Sequence, residues 1–114
     1  MQPHGPWQIL RSNDIYRDPW IEVRCDDVIR PDGREGTHVV VQMKPGVCVV
    51  ALDEEGFVHL TGEFHYGIGR DSVEGVSGGI EPGEVALETA QRELEEELGL
   101  KAARWTELGT VDPF

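Results

Sequence analysis

Basic residues are scarce in this sequence, and their scarcity limits the partners that the protein can bind. The 114 residues include 10 Lys or Arg against 22 Asp or Glu, so the formal net charge is −12 at pH 7. Nucleic acids and anionic lipid surfaces are polyanions, and a chain of this charge repels them. We therefore expect neither a nucleic-acid polymer nor a membrane surface as its main partner.

Cysteines and long apolar runs are also scarce. Cys25 and Cys48 are far apart and form no Cys-x-x-Cys pattern, which argues against a disulfide framework or a zinc site. No apolar run approaches the roughly 20 residues of a membrane-spanning helix. Residues 1–6 lack the basic-then-apolar order of a secretory signal. We expect a single cytoplasmic domain over residues 1–114.

Short β-type runs separated by turn signals fill most of the chain. In the turn Pro31-Asp32-Gly33, proline presets φ and glycine accepts a positive φ. We expect residues 1–6 to be a flexible lead and the glycine-rich segment 67–79 to be governed by backbone freedom rather than packing. The pattern predicts meander-like strands at residues 20–30, 37–43, 47–52, 57–64 and 104–111.

One helix is predicted from Glu84 to Leu98, with Gly99 at the position of a C-terminal stop. Glu88 and Arg92 have the spacing of an i,i+4 ion pair on this helix. A helical wheel predicts that an apolar stripe faces the core, formed by Leu87, Ala90, Leu94 and Leu98.

Two strand segments are apolar without interruption, at residues 39–41 and 47–52. This pattern is typical of strands that are covered on both faces. A single helix covers one face only, so we expect a second covering helix to be missing. Either a partner chain covers the other face or the natural protein continues past Phe114, and we favour the continuation.

Acidic residues are concentrated on the predicted helix and its flanks. Residues 78–100 hold seven glutamates and one basic residue, so they carry half of the net negative charge. Glu93, Glu96 and Glu97 are spaced i, i+3, i+4, which makes their side chains neighbours within one turn. Such carboxylates repel one another unless a divalent ion or a shared proton intervenes, and oxygen ligands suit Mg²⁺ or Mn²⁺. The alternative is a solvated acidic helix face.

The same segment fits a longer spaced motif at every fixed position. The pattern is G-x5-E-x7-R-E-U-x-E-E-x-G-U, with U apolar, and its fixed positions are Gly78, Glu84, Arg92, Glu93, Leu94, Glu96, Glu97, Gly99 and Leu100. The chain therefore resembles the Nudix hydrolase family, with its Nudix box at residues 78–100. The resemblance implies an α/β (α+β) fold, an α/β/α sandwich with a mixed sheet and a loop–helix–loop box. It also implies an enzyme that hydrolyses nucleoside diphosphates linked to another group.

The resemblance also implies roles for individual residues. Glu93, Glu96 and Glu97 would bind Mg²⁺ or Mn²⁺ or activate water, and the backbone carbonyl of Ser77 would be a further ligand. Glu93 or Glu96 would accept the proton of the attacking water, unless a glutamate beyond Phe114 does so. Arg92 would orient the glutamates by ion pairing. The positions implied to be structural are Gly78, Glu84, Leu94, Gly99 and Leu100.

Motifs over about residues 15–112, such as Arg30-Pro31-Asp32-Gly33, resemble ADP-ribose pyrophosphatases and related ADP-sugar hydrolases. This likeness implies hydrolysis of ADP-ribose or another ADP-sugar to AMP and a sugar phosphate. It further implies a homodimer with exchanged N-terminal strands, and it makes Trp7, Tyr16 and Trp20 candidates for stacking on the base or for the dimer contact. The alternative is that these aromatic residues pack in the core as ordinary strand residues. The alternatives are a house-cleaning hydrolase of nucleoside triphosphates or dinucleoside polyphosphates, and a non-catalytic module that senses a nucleotide.

The chain departs from this subgroup in three places, one of them at residues 71–76, where the usual Trp-Glu-x-Pro keeps only its glutamate, Glu74. Residues 62–66 read Gly-Glu-Phe-His-Tyr where the subgroup has Gln-Tyr-Arg, so a phosphate or ribose contact is lost and Arg70 is a candidate replacement. The family also supplies further strands, a second helix and a loop glutamate after the box, whereas only 14 residues follow Leu100 here.

Overall fold

Turn residues divide the chain into short strands that precede one helix. The structure is a computed structural model, and it describes residues 1–113. They form two compact units, the first over Met1–Lys44 and the second starting at Pro45. The prediction of a single domain stays a prediction. The elements in chain order are β1 (Gln2–His4), β2 (Trp7–Arg17), β3 (Ile21–Ile29), β4 (Glu35–Met43), β5 (Gly46–Val49), β6 (Ala51–Leu52), β7 (Val58–His59), β8 (Thr61–His65), β9 (Arg70–Glu74), β10 (Val76–Gly79) and α1 (Ala86–Leu98).

The first unit is an antiparallel meander with the strand order β1-β2-β3-β4. The strands predicted at 20–30 and 37–43 are confirmed as β3 and β4, which pair in one continuous register. Their predicted turn is confirmed as well, because Gly33 has a φ of 85° and its N–H donates to the Arg30 carbonyl over 2.9 Å.

The prediction of a flexible lead at residues 1–6 was wrong. Residues 2–4 form β1, and His4 pairs with Trp7 across a tight turn. Gly5 has a φ of 57°, a conformation that a residue with a Cβ rarely adopts, so this glycine permits the hairpin.

In the second unit, β5 pairs with β10, β6 with β7 and β8 with β9, each time antiparallel. The glycine-rich segment 67–79 therefore supplies two strands, which its composition did not predict. In part of this segment the glycines serve close packing between strands. A Cβ at Gly46 would meet the Gly78 carbonyl oxygen at 2.9 Å, so the β5 and β10 backbones approach more closely there than side chains allow.

The helix α1 covers β5 and β10, and its buried face differs in part from the predicted stripe. Ala90 and Leu94 are buried against Val49 and Val76, as the wheel predicted. Leu87 was wrongly placed in the core, because 49% of it is exposed. The core instead receives Thr89, which is fully buried, so the helix is rotated about its axis relative to the predicted orientation.

The end of the described chain does not form the strand predicted at residues 104–111. Residues 99–113 contain no helix or strand, although Leu100 and Trp105 pack against the core. A strand needs hydrogen-bonding partners, and no strand in residues 1–113 pairs with this segment. The apolar run 47–52 is buried over only part of its length, because Val50 and Leu52 are exposed. None of the helices in the described part of the chain is long and apolar enough to cross a membrane.

The helix end generates a first prediction. Gly99 has a φ of 66° and its N–H donates to the Glu95 carbonyl over 2.9 Å, so Gly99→Ala should lower the free energy of unfolding by about 1–2 kcal/mol. Urea denaturation followed by circular dichroism measures this loss. Gly62→Ala is the matched control, because Gly62 has no positive φ and a Cβ there would meet no atom within 4 Å. Equal losses of unfolding free energy in the two variants would contradict the left-handed C-cap role of Gly99.

Candidate functional site

The Nudix-box residues lie on β10, on the loop that follows it, and on one side of α1. Gly78 is in β10, and Glu84 precedes the helix, which begins at Ala86 rather than at the predicted Glu84. Arg92 and the three glutamates predicted as metal ligands are all on α1. Because α1 packs on β10, the box is one continuous structural unit.

Arg92 contacts three of the box carboxylates. Its Nε and Nη2 donate to the two Glu84 oxygens, each over 2.9 Å, and its Nη1 donates to Glu93 over 2.9 Å and to Glu96 over 3.2 Å. Nη2 also donates to the Gly79 carbonyl over 3.2 Å. The prediction that Arg92 pairs with Glu88 was wrong. Arg92 pairs with Glu84 instead, because the Glu84 carboxylate meets the guanidinium in the bidentate geometry that arginine favours.

Glu84 accepts hydrogen bonds from three different residues. Besides Arg92, the backbone N–H of Glu81 and the Thr89 hydroxyl donate to its Oε1, over 2.9 and 3.0 Å. Arg92 above all, and then these two donors, lower the pKa of Glu84 to about 2. In return, Glu84 raises the pKa of the Arg92 guanidinium above its ordinary value. Both groups are therefore charged at any physiological pH.

Glu93 lies directly against the glycine pair of β10. A Cβ on Gly78 would overlap the Glu93 carboxylate, so only glycine leaves room for that side chain. The Glu93 side chain is 14% exposed and has one oxygen on Arg92. The backbone of β10 and the guanidinium thus fix this carboxylate from two directions.

The pKa of Glu97 is raised by loss of hydration and by neighbouring negative charges. Loss of hydration is the leading cause, followed by the negative charges of Glu93, Glu63 and Glu74, while a hydrogen bond from the Ser77 backbone N–H opposes the shift. Ser77 thus reaches Glu97 through its amide group. The metal-binding role implied for its carbonyl stays a prediction.

A second group of potential ligands lies on the β8–β9 hairpin. Glu63, His65 and Glu74 each offer an atom within 4.8 Å of the others, and the His65 Nε2 is 3.0 Å from both oxygens of Glu74. Sequence analysis missed this group. The sequence does show that Glu63 and His65 are two residues apart and therefore lie on one face of a strand. Glu74 joins them only because of the register between β8 and β9, which the sequence does not show.

The box carboxylates suit a hard divalent cation by their chemistry, but among the described residues the oxygens of Glu93, Glu96 and Glu97 do not all lie within 4.8 Å of one another. Glu93, Glu96 and Glu97 offer carboxylate oxygens, and Glu63 and Glu74 add negative charge beside Glu97. Mg²⁺ and Mn²⁺ prefer oxygen ligands of this kind. Arg92 is the cation among the box residues. Its Nη1 contacts one oxygen of Glu93 and one oxygen of Glu96, so the second oxygen of each carboxylate makes no contact with Arg92.

Two further predicted site residues, Trp20 and Arg70, lie in different units. Trp20 is in the first unit, at a turn where Asp18 accepts its backbone N–H over 2.8 Å, and its side chain is 71% exposed. Arg70 is in the second unit, where it pairs with His65 at the end of the hairpin. Of the box positions implied to be structural, Leu94 is in the core and Leu100 packs against it.

The position of Gly78 generates a prediction. Gly78→Ala should displace the Glu93 carboxylate, because the added Cβ would occupy its place, and should lower the free energy of unfolding by about 1 kcal/mol or less, because the end of a flexible side chain can move aside. Urea denaturation measures the loss, and carboxyl ¹³C NMR of Glu93 detects the displacement. Gly67→Ala adds the same methyl group in open space and should change neither quantity. An unmoved Glu93 resonance in Gly78→Ala would count against this packing.

The lowered pKa of Glu84 predicts a pH-dependent stability difference. Its charged form contributes stability that is complete above the unfolded-state pKa of about 4.3 and is lost as the pH falls towards about 2. Glu84→Gln should therefore unfold at lower urea concentration than the wild type at pH 7, and this gap should shrink between pH 4.3 and 2. Glu88→Gln removes the same charge from an exposed position and is the control. A gap that stays constant below pH 4.3 would contradict the ion pair.

Comparison with known proteins places this geometry in a family. Residues 42–114 match the NUDIX domain, and residues 7–41 match the nucleoside diphosphate sugar hydrolase N-terminal domain. A solved structure described as an ADP compounds hydrolase superposes with a TM-score of 0.71 at 26% identity, over 91% of this chain and 57% of that one. The chain has the Nudix fold, and its described residues include one of the helices of the predicted sandwich.

The similar curated proteins are longer than this chain. ADP-ribose pyrophosphatase of Bacillus subtilis is 31% identical over 87% of the chain and 54% of its own length. ADP-ribose pyrophosphatase of Mycobacterium tuberculosis is 31% identical over 93% and 52%, and methanol dehydrogenase activator of Bacillus methanolicus is 29% identical over 79% and 49%. The chain thus spans about half the length of these relatives. With its NUDIX domain match covering most of the sequence, the protein belongs to the Nudix family.

Proposed function

We propose that the protein is a divalent-metal-dependent Nudix pyrophosphohydrolase that cleaves the diphosphate bond of ADP-ribose or another ADP-sugar. The products would be AMP and a sugar phosphate. The observation that carries the proposal is that Arg92, fixed by Glu84, pairs with Glu93 and Glu96 on the helix that also carries Glu97.

Two kinds of similarity support the substrate class. The N-terminal residues match a domain described for nucleoside diphosphate sugar hydrolases, and two relatives are named ADP-ribose pyrophosphatases. The chain covers about half of each of those relatives. Their activity is therefore attributed to this protein only as part of the proposal.

The proposed cofactor is Mg²⁺ or Mn²⁺, held by Glu93, Glu96, Glu97 and the backbone carbonyl of Ser77. Such an ion neutralises a diphosphate and lowers the pKa of a bound water molecule. A cation is required on electrostatic grounds, because the carboxylates alone would repel an anionic substrate. The residues beside Glu97 strengthen that requirement, since Glu63 and Glu74 both raise its pKa by their charge.

The protein's own residues have separate tasks in this proposal. Arg92 keeps one oxygen each of Glu93 and Glu96 in an ion pair, so that both carboxylates hold a fixed orientation before substrate binds. Glu93 or Glu96 would accept the proton of the attacking water. Arg70 would contact a phosphate, and Trp20, which is exposed, would stack on the adenine. A homodimer and a cytoplasmic location complete the proposal.

The test compares two glutamine variants on the same helix. Glu97→Gln should lower Mg²⁺-dependent hydrolysis of ADP-ribose by about 10²-fold or more, because it removes a ligand charge from the ion that carries the chemistry. Glu95→Gln makes the same change at an exposed residue whose ion-pair partner is Lys101, and it should stay close to wild type. Release of AMP, separated by chromatography, measures the rate.

Further measurements separate the possible failures. A panel of ADP-ribose, other ADP-sugars, nucleoside triphosphates and dinucleoside polyphosphates identifies the preferred substrate class. Binding of Mn²⁺, followed by electron paramagnetic resonance, is measured on the same samples. Mn²⁺ binding with turnover that is equal in Glu97→Gln and wild type would contradict the assigned site, and a preference for triphosphates would contradict the substrate class.

A further inference from the structure

Thr89 is a buried polar residue at the boundary between the core and the candidate site. Its side chain is fully buried on α1, beside the apolar core residue Ala90. The motif leaves this position free, so the resemblance assigns it no role. A buried hydroxyl without a hydrogen bond destabilises a protein, so its partners explain why it is tolerated there.

The hydroxyl of Thr89 has two acceptors within reach. Oγ1 is 3.0 Å from Oε1 of Glu84 and 3.3 Å from the carbonyl of Val85. A hydroxyl carries one proton and can donate fully to one acceptor at a time. Glu84 is ionised and closer, so it receives the stronger, charge-assisted bond. The Val85 carbonyl also accepts the backbone N–H of Thr89 over 3.1 Å, so it has a partner without the hydroxyl.

Glu84 is in turn the bidentate partner of Arg92. The Glu81 backbone N–H and the Thr89 hydroxyl both donate to Oε1 of Glu84, from the loop and from the helix respectively. This places the carboxylate where both of its oxygens meet Arg92. Thr89, Glu84 and Arg92 therefore form a continuous chain of hydrogen bonds that ends on Glu93 and Glu96.

We infer that Thr89 is a positioning residue for the metal-binding carboxylates, acting through Glu84 and Arg92. The inference rests on the proposed function for its metal, whereas the orientation of Arg92 can be observed without any metal. A purely structural threonine would act through its volume, and valine has nearly the same volume without the hydroxyl.

The experiment uses Thr89→Val, which removes the hydroxyl, and Thr89→Ser, which keeps it. Two readouts are collected, the affinity for Mn²⁺ alone and the ¹⁵N-detected Nε–H resonance of Arg92 in the metal-free protein. Thr89→Val should weaken Mn²⁺ binding about tenfold, the loss typical for groups that orient metal ligands, and should speed solvent exchange of the Arg92 Nε–H. Thr89→Ser should keep Mn²⁺ affinity within about twofold of wild type. Thr106→Val makes the same change at an exposed residue and should alter neither readout.

Several outcomes would overturn the inference. A folded Thr89→Val protein with wild-type Mn²⁺ affinity and an unchanged Arg92 resonance would do so. Equal defects in Thr89→Ser and Thr89→Val would show that the buried position tolerates no change of side chain, so that the hydroxyl has no special role. If Thr89→Val does not fold, Thr89→Ala replaces it, because alanine favours the helix. If the wild type binds no Mn²⁺, the proposed function fails, and the Arg92 resonance still decides the role of Thr89.

Discussion

The ion pairs of Arg92 are the interaction on which the candidate site depends. Two like charges 4 Å apart at an effective dielectric constant of 20 repel by about 4 kcal/mol, so glutamates crowded on one helical turn would turn away from each other. A guanidinium that contacts Glu84, Glu93 and Glu96 offsets part of this repulsion and fixes the direction of each carboxylate. Glu97 makes no contact with Arg92, and its pKa is raised first by loss of hydration and then by the charges of Glu93 and Glu63.

The same helix stabilises the second unit and carries the site, so folding and function constrain one another there. One side of α1 buries Ala90 and Leu94 against β5 and β10, and the glutamates project from the neighbouring side. Gly78 lets Glu93 lie against the β10 backbone without a collision. The core of this unit is small, and the contacts between α1 and β10 therefore contribute both to stability and to the position of the carboxylates.

Local signals allowed part of this structure to be predicted from sequence. The helix end at Gly99 and the turn at Gly33 follow from short spacings and from glycine conformations. Strands β1, β2, β9 and β10 were missed, and for β9 and β10 the reason is that glycine in a sequence indicates a turn and a close strand contact equally well. The Glu63, His65 and Glu74 group depends on strand register, and the exchange of Leu87 for Thr89 in the core depends on how α1 is rotated against the sheet. Neither is encoded in a local pattern.

Arg92 orients Glu93 and Glu96, and we propose that these two carboxylates and Glu97 bind one hard divalent cation. Anomalous diffraction from crystals of this chain soaked in Mn²⁺ tests it most directly. The account predicts a manganese peak within coordination distance of oxygens from Glu93, Glu96 and Glu97, with Arg92 still paired to Glu84. A well-ordered site without such a peak, or manganese bound only elsewhere on the protein, would contradict it.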